Sequence, residues 1–242
     1  MIYYAHSDIG KAREKNQDSF YIPKEEDKLK LFALADGMGG YKGGEVASKL
    51  AIISAKNYLE TNFEKIEHSK EAILELIRSS IEYANMVVYE KSKEDDNLSG
   101  MGTTLELCLI YNNRAYIGHV GDSRIYRIRK NIIRKLTNDH SYVEKLVKDG
   151  KISKEEAVYH PKKNMLTKAL GCGAFVEPDV MVKGFQKEDI IILSSDGLTN
   201  MVSNEEIFDE VIKNIKDASK NLVDKANEYG GYDNITIVVV KN

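Results

Sequence analysis

Five aspartates stand where apolar runs begin or end, most of them beside glycine, and these are the residues best suited to chemistry. Asp36 closes Leu31-Phe32-Ala33-Leu34-Ala35 and precedes Gly37-Met38-Gly39-Gly40. Asp122 follows Ala115-Tyr116-Ile117-Gly118-His119-Val120-Gly121, and Asp196 closes Ile190-Ile191-Ile192-Leu193-Ser194-Ser195 with Gly197 next. Asp233 precedes Asn234-Ile235-Thr236-Ile237-Val238-Val239-Val240, and Asp18 precedes Ser19-Phe20-Tyr21-Ile22. A carboxylate at the rim of a buried strand loses solvation, which is unfavourable unless a cation or donor compensates. Several converging there repel one another, and hard divalent ions relieve that repulsion because they prefer oxygen ligands. The pattern points to more than one Mg²⁺ or Mn²⁺ and to metal-assisted hydrolysis.

Other reactive side chains are less suggestive. Cys108 lies in an apolar strand-like run and Cys172 in Leu170-Gly171-Cys172-Gly173; neither precedes an Arg-containing phosphate loop, which disfavours a cysteine nucleophile. With two cysteines in the chain, reduced thiols in a cytoplasmic protein are the plain reading. His119 and His140 titrate near neutrality when unshifted, as general acids do. His119 sits inside an apolar strand and reads as hydrogen-bonded structure, and His140 as a residue that caps or orients the following helix. The 35 Lys and Arg are scattered and the formal net charge is −3, so no nucleic-acid surface is indicated.

The elements that must position these residues follow from periodicity. The 242 residues suffice for one large domain, read here as 1–242 without repeats or linkers. Strands are expected near 2–8, 18–22 and 29–35, then helices at about 43–61 and 67–93. In the second helix Ile73, Leu74, Leu76, Ile77, Ile81, Ala84, Val87 and Val88 recur at helical spacing. A strand group occupies about 103–137. Strands resume at 179–185 and 189–195, helices follow near 203–214 and 217–229, and an apolar strand at 234–240 ends the series. Residues 138–175 are polar and broken by Gly150, Pro161 and Gly171; an insertion at about 142–175 reads as a flap beside the site, or else as a surface excursion. Blocks of strands and helices indicate an α+β fold rather than βαβ units. No signal peptide is evident, and no run approaches the roughly 20 apolar residues that span a bilayer.

Six segments occur in order: Arg13-Glu14-Lys15-Asn16-Gln17-Asp18, Asp36-Gly37-Met38-Gly39-Gly40, Gly102-Thr103-Thr104, His119-Val120-Gly121-Asp122-Ser123-Arg124, Ser195-Asp196-Gly197-Leu198 and Gly231-Tyr232-Asp233-Asn234. Together they resemble the metal-dependent protein serine/threonine phosphatases of the protein phosphatase 2C family. Leu136-Thr137-Asn138-Asp139-His140-Ser141 and the Gly-Met form of the second segment look like the bacterial single-domain branch. The resemblance runs from about Ser7 to Val240. It implies a four-layer α-β-β-α sandwich, two antiparallel sheets flanked by helices, with a dinuclear metal site at one end.

The resemblance also implies roles. Asp36 bridges two ions, the Gly37 carbonyl serves one, Asp196 and Asp233 serve the other, and Asp18 stands near the pair. Gly37 has no side chain to obstruct its carbonyl. Two ions about 3.5–4 Å apart hold a bridging hydroxide that attacks phosphorus. Arg13 supplies a planar fork for the phosphate oxygens. Asp122, with Asp196, holds a weaker third ion; the competing reading pairs Asp122 with Arg124 as structure. The cofactors are therefore Mn²⁺ or Mg²⁺. Phosphoproteins are the substrates and a bacterial serine/threonine kinase the counterpart, with no nucleic acid or membrane insertion and a monomeric enzyme expected.

Departures from the wider family bear on details. Met38 replaces a histidine proposed elsewhere as the general acid, and it cannot donate a proton. Asn200 stands where some members have a further aspartate, Gln17 where eukaryotic members have glutamate, and Lys168 where bacterial relatives have arginine. A catalytically weak phosphoprotein-binding module is the alternative, disfavoured because Asp36, Asp196 and Asp233 are all present. A two-metal nuclease shares the carboxylate logic but lacks a basic groove.

Overall fold

The computed structural model describes residues 1–39 and 43–242, so Gly40 of the turn after Asp36 lies outside the described residues. One sheet contains β1 (Ile2–Asp8), β7 (Arg124–Arg129), β8 (Ile132–Lys135), β10 (Ile190–Ser194) and β11 (Ile235–Lys241), in the order β1-β11-β10-β7-β8. The other contains β2 (Asp18–Tyr21), β3 (Lys30–Met38), β5 (Leu105–Tyr111), β6 (Arg114–Val120) and β9 (Asp179–Gly184) in the order β2-β3-β5-β6-β9, with the short β4 (Gly102–Thr103) on β3. All pairings are antiparallel.

The strands are apolar on both faces because both faces are covered. In β3, Leu31, Ala33 and Ala35 pack under α1 (Gly43–Asn62) and α2 (Lys70–Glu94), while Phe32 and Leu34 face the other sheet. In β11, Val238 and Val240 face the space between the sheets. Ile235, Ile237 and Val239 pack under α6 (Asn204–Lys213) and α7 (Ile215–Glu228). Each fully buried aliphatic side chain contributes roughly 1.5–3 kcal/mol of transfer free energy, so three stacked cores make the four-layer α-β-β-α sandwich. The helix starts are set locally: Ser69 Oγ accepts from Ala72 N at the head of α2, and Ser203 forms a capping box with Glu206 before α6.

Two boundaries differ from the sequence expectation. β3 continues beyond Ala35 through Asp36, Gly37 and Met38, because Gly37 and Met38 pair with Thr103 and Gly102 of β4. Asp36 is thus inside a strand rather than after it. Asp196 opens an unanticipated one-turn helix, α5 (Asp196–Thr199).

The stretch after β8 has two unlike limbs. The outgoing limb carries α3 (Tyr142–Lys148) and α4 (Lys154–Tyr159), and neither helix buries a residue. The return limb is anchored: Leu170 is fully buried and exchanges backbone hydrogen bonds with Thr103 of 3.1 and 2.9 Å. Buried Asn85 of α2 accepts from Gly171 N (2.9 Å) and donates to the Gly173 and Ala174 carbonyls (3.1 and 3.2 Å). No helix among the described residues is long and apolar enough to cross a membrane.

Candidate metal centre

Strand register brings the aspartates to one end. Asp18 and Asp36 are direct partners across β2 and β3. In the other sheet, Ser194 pairs with both Ile237 and Arg124. Asp122, Asp196 and Asp233 each lie two residues beyond a strand end, on that same edge. Antiparallel neighbours alternate direction, so starts of β7 and β11 meet the finish of β10 there.

The crowding is visible in their proton affinities. Burial, then the charges of Asp18, Asp196, Asp122 and Asp233, push Asp36 well above the usual carboxylate range. Burial raises Asp18 to about 7, with Asp196 and Asp233 adding to the effect. Asp122 rises to about 7 through burial and the charges of Asp196 and Asp139, offset in part by Arg124. Asp196 is raised by burial and by Asp233, an effect that Asp36 and Asn200 moderate. Each carboxylate opposes ionisation of the next, as expected for like charges sharing a site.

Around them the backbone is held by neutral polar groups. Asp36 N donates to Thr104 Oγ1 (2.8 Å), while the Asp36 carbonyl accepts from Thr104 N and Thr103 Oγ1, both at 2.9 Å. Gly37 has no alternative residue: a Cβ there would meet the Gly44 carbonyl oxygen at 2.1 Å and that of Gln17 at 2.6 Å. Asn234 Oδ1 accepts from Gln17 N (2.8 Å), and its Nδ2 donates to the Ile9 and Lys15 carbonyls, each at 2.9 Å. That clasp holds the loop between β1 and β2, which carries Arg13, over Asp233. Arg13 Nη2 donates to Asp233 Oδ2 at 2.9 Å from a half-exposed position at the mouth. Asn200 Nδ2 donates to Asp196 Oδ2 at 3.1 Å, so the residue that departs from the wider family orients a site carboxylate.

These residues fit hard divalent cations. Both carboxylate oxygens of Asp18 and Oδ1 of Asp196 are buried without a hydrogen-bond partner. The Ser195 and Thr236 hydroxyls moderate Asp18 from nearby. Ser195 Oγ also accepts from Thr236 N, and Thr236 Oγ1 is bonded to Ser7 Oγ. Orphaned anionic oxygens in low dielectric call for a cation. No three His, Cys, Asp or Glu side chains among the described residues form a cage for one ion. Mg²⁺-like ions do not need one, since they bind through one or two carboxylates and keep several waters.

Several expectations change. Asp122 does not pair with Arg124: the Arg124 fork is taken by Asp139, with Nε at 3.2 and 3.0 Å and Nη2 at 2.7 Å, and Lys135 adds a 3.1 Å contact to Asp139. Asp122 is thereby left to the site. His119 is buried, bonded to Glu106 Oε1 (2.5 Å) and the Asn138 carbonyl (2.8 Å), in keeping with its structural reading. His140 does not cap α3; Ser141 Oγ does, accepting from Glu144 N. Instead His140 Nδ1 accepts from Gly121 N at 3.2 Å, and burial lowers its pKa to about 4, as suits a neutral acceptor. Thr104, Ser123 and Asn234 enter the sequence reading only as parts of motifs; their signal is a polar side chain at the end of an apolar strand.

The profile of the family described as protein phosphatase 2C matches residues 10–225, and the chain belongs to that family. It is 39% identical over 241 residues to the serine/threonine phosphatase stp of Listeria monocytogenes, covering 97% of this chain and 93% of the relative. The serine/threonine phosphatase of S. agalactiae superposes with a TM-score of 0.90 at 36% identity, covering 100% of this chain and 99% of that one. The catalytic domain of a phosphatase named PstP, solved in complex with two manganese ions, superposes with a TM-score of 0.86 at 34% identity, covering 99% and 97%.

Proposed function

We propose that this protein phosphatase hydrolyses phosphoserine and phosphothreonine in proteins at the aspartate cluster. Two divalent cations, Mn²⁺ or Mg²⁺, are assigned to Asp36, the Gly37 carbonyl, Asp196 and Asp233, with Asp18 beside them. A third, weaker ion is assigned to Asp122 with Asp196. The observation that carries the reading is five mutually repelling carboxylates at one end of both sheets, three of whose oxygens are buried without a partner. When bound there, the cations supply a water nucleophile of lowered pKa and counter the charge of the ester.

The chain's own residues do the rest. Thr103 and Thr104 hold the Asp36 peptide on both sides, which fixes the backbone from which its carboxylate projects. Asn200 fixes the orientation of Asp196. Arg13, half-exposed and already directed at the cluster by Asp233, presents its fork to the phosphate oxygens. Met38 offers no proton, and His119 is committed to Glu106 and the Asn138 carbonyl, so neither protonates the departing serine or threonine; that proton is assigned to water. The outgoing limb of 142–175 acts as the flap that meets the phosphoprotein. Such esters arise by kinase action, which makes a serine/threonine kinase the counterpart.

The test is Mn²⁺-dependent turnover of an aryl phosphate and of phosphothreonine peptides. Asp36→Asn, Asp196→Asn and Asp233→Asn are each expected to cut turnover by at least about 10²-fold, by removing charge that holds the cations. Near-wild-type activity of Asp36→Asn at limiting Mn²⁺ would sink the reading.

A further inference from the structure

Beyond its bond to Asp36, Thr104 makes contacts to the turn around Asp122 that no role above uses. It is buried, and both arms of its branched side chain are engaged. The hydroxyl accepts from Asp36 N at 2.8 Å and shares a 2.9 Å hydrogen bond with Ser123 Oγ. The methyl lies under Gly121, where φ is +118° and a Cβ would stand 2.5 Å from Thr104 Cγ2. Gly121 and Ser123 flank Asp122. One side chain therefore touches the backbone of Asp36 and both neighbours of Asp122, across the gap between the sheets. β-Branching restricts χ1, so the two arms cannot be rearranged independently.

We infer that Thr104 is a positioning residue that sets Asp122 relative to Asp36: the hydroxyl fixes Asp36, and the hydroxyl and methyl together fix the Asp122 turn. The inference rests on the reading of Asp36 and Asp122 as metal ligands. Its content is a division of labour within one residue. The hydroxyl governs the tightly bound ions through Asp36, whereas the methyl governs only the ion requirement that depends on Asp122. Serine keeps the first arm and loses the second. Valine keeps the shape and loses the hydroxyl, stranding the buried Asp36 N–H and the Ser123 hydroxyl.

Calorimetry with MnCl2 alone and Mn²⁺ titrations of aryl phosphate turnover separate the arms. Thr104→Val is expected to weaken calorimetric Mn²⁺ binding about tenfold, because Asp36 shifts when its buried N–H loses its acceptor. Thr104→Ser should bind Mn²⁺ within about threefold of wild type, since the hydroxyl bond is retained. It should nonetheless need several-fold more Mn²⁺ for half-maximal turnover, and Ser123→Ala should behave likewise. A valine variant with wild-type affinity and Mn²⁺ requirement, even with a lowered melting temperature, would reduce Thr104 to scaffold. If valine prevents folding, unchanged Mn²⁺ requirements in both Thr104→Ser and Ser123→Ala overturn the inference, and raised ones support it. Asp36→Asn and Asp122→Ala run alongside. Should those two themselves leave Mn²⁺ dependence intact, the ligand assignment has failed; should they alter it while the Thr104 and Ser123 variants do not, only the positioning role has.

Discussion

At the residue scale, the site is a set of anions that need cations, gripped by neutral groups that carry no charge of their own. Thr103, Thr104, Asn200 and Asn234 donate or accept without adding to the repulsion among the aspartates. Arg13 is the one guanidinium bonded to a cluster carboxylate among the described residues, because Arg124 is bound to Asp139. In the proposed reaction its placement at the mouth lets it meet a phosphate in the ground state and in the transition state alike. Arg13→Ala is therefore expected to raise KM for a small aryl phosphate several-fold more than it lowers kcat, and to weaken inhibition by inorganic phosphate. Unchanged KM and unchanged phosphate inhibition would show that Arg13 serves Asp233 only.

At the element scale, the segment between β8 and β9 is half scaffold and half excursion. Its outgoing helices α3 and α4 are short and bury nothing, although Ser141 and Ser153 cap them well. Its return limb is tied to the core by Leu170, Thr103 and Asn85. The two limbs touch at a Ser141–Leu166 bridge, and Tyr142 N donates to the Met165 carbonyl at 2.8 Å. A deletion of 143–164 closed by a short turn is thus geometrically permitted, whereas removal of all of 142–175 would strip core contacts. The shorter deletion is expected to leave aryl phosphate kcat/KM within about threefold while changing discrimination among phosphoproteins, because the site residues come from other segments. Equal loss on both substrate types would mark α3 and α4 as structural.

At the scale of the whole molecule, the cluster makes stability depend on pH and on cations together. Asp18 and Asp122, both raised to about 7, bind more proton when folded than when unfolded. For such acids folding stability falls as pH rises from about 4 through about 7. Neutral His140, lowered to about 4, works the other way below about 6.5. Glu106, also raised to about 7 by burial, adds to the fall but lies outside the cluster. Chelator-treated protein is therefore expected to lose melting temperature between about pH 6.5 and pH 8, and saturating Mn²⁺ should remove most of that slope. A melting temperature that stays flat or rises through this window without metal would contradict the burial and mutual repulsion of these carboxylates. So would a slope indifferent to Mn²⁺.

The strand series, the α2 stripe and the order of the six motifs were legible from local pattern. Hydrophobic period, Ser caps and Asp-Gly turns act within a few residues of chain. So were the carboxylates themselves, since an aspartate at the end of a run such as Ile190–Ser194 has nowhere apolar to go. What local pattern could not show was pairing across the molecule. Arg124 lies two residues from Asp122 yet binds Asp139, fifteen residues away, because β7 and the turn after β8 fold onto one another. Thr104 read as part of a motif; only the meeting of β3, the β4–β5 junction and the turn before β7 puts its hydroxyl between Asp36 and Ser123. Likewise Asn85 is one polar residue on α2, and only the fold brings Gly171, Gly173 and Ala174 down on it. The sequence by itself determined which residues carry charge, where the apolar runs lie and which faces are apolar, because those are properties of side chains and their spacing. Tertiary structure alone decided which charge meets which partner, because hydrogen bonds and desolvation depend on distances between segments that sequence order leaves free.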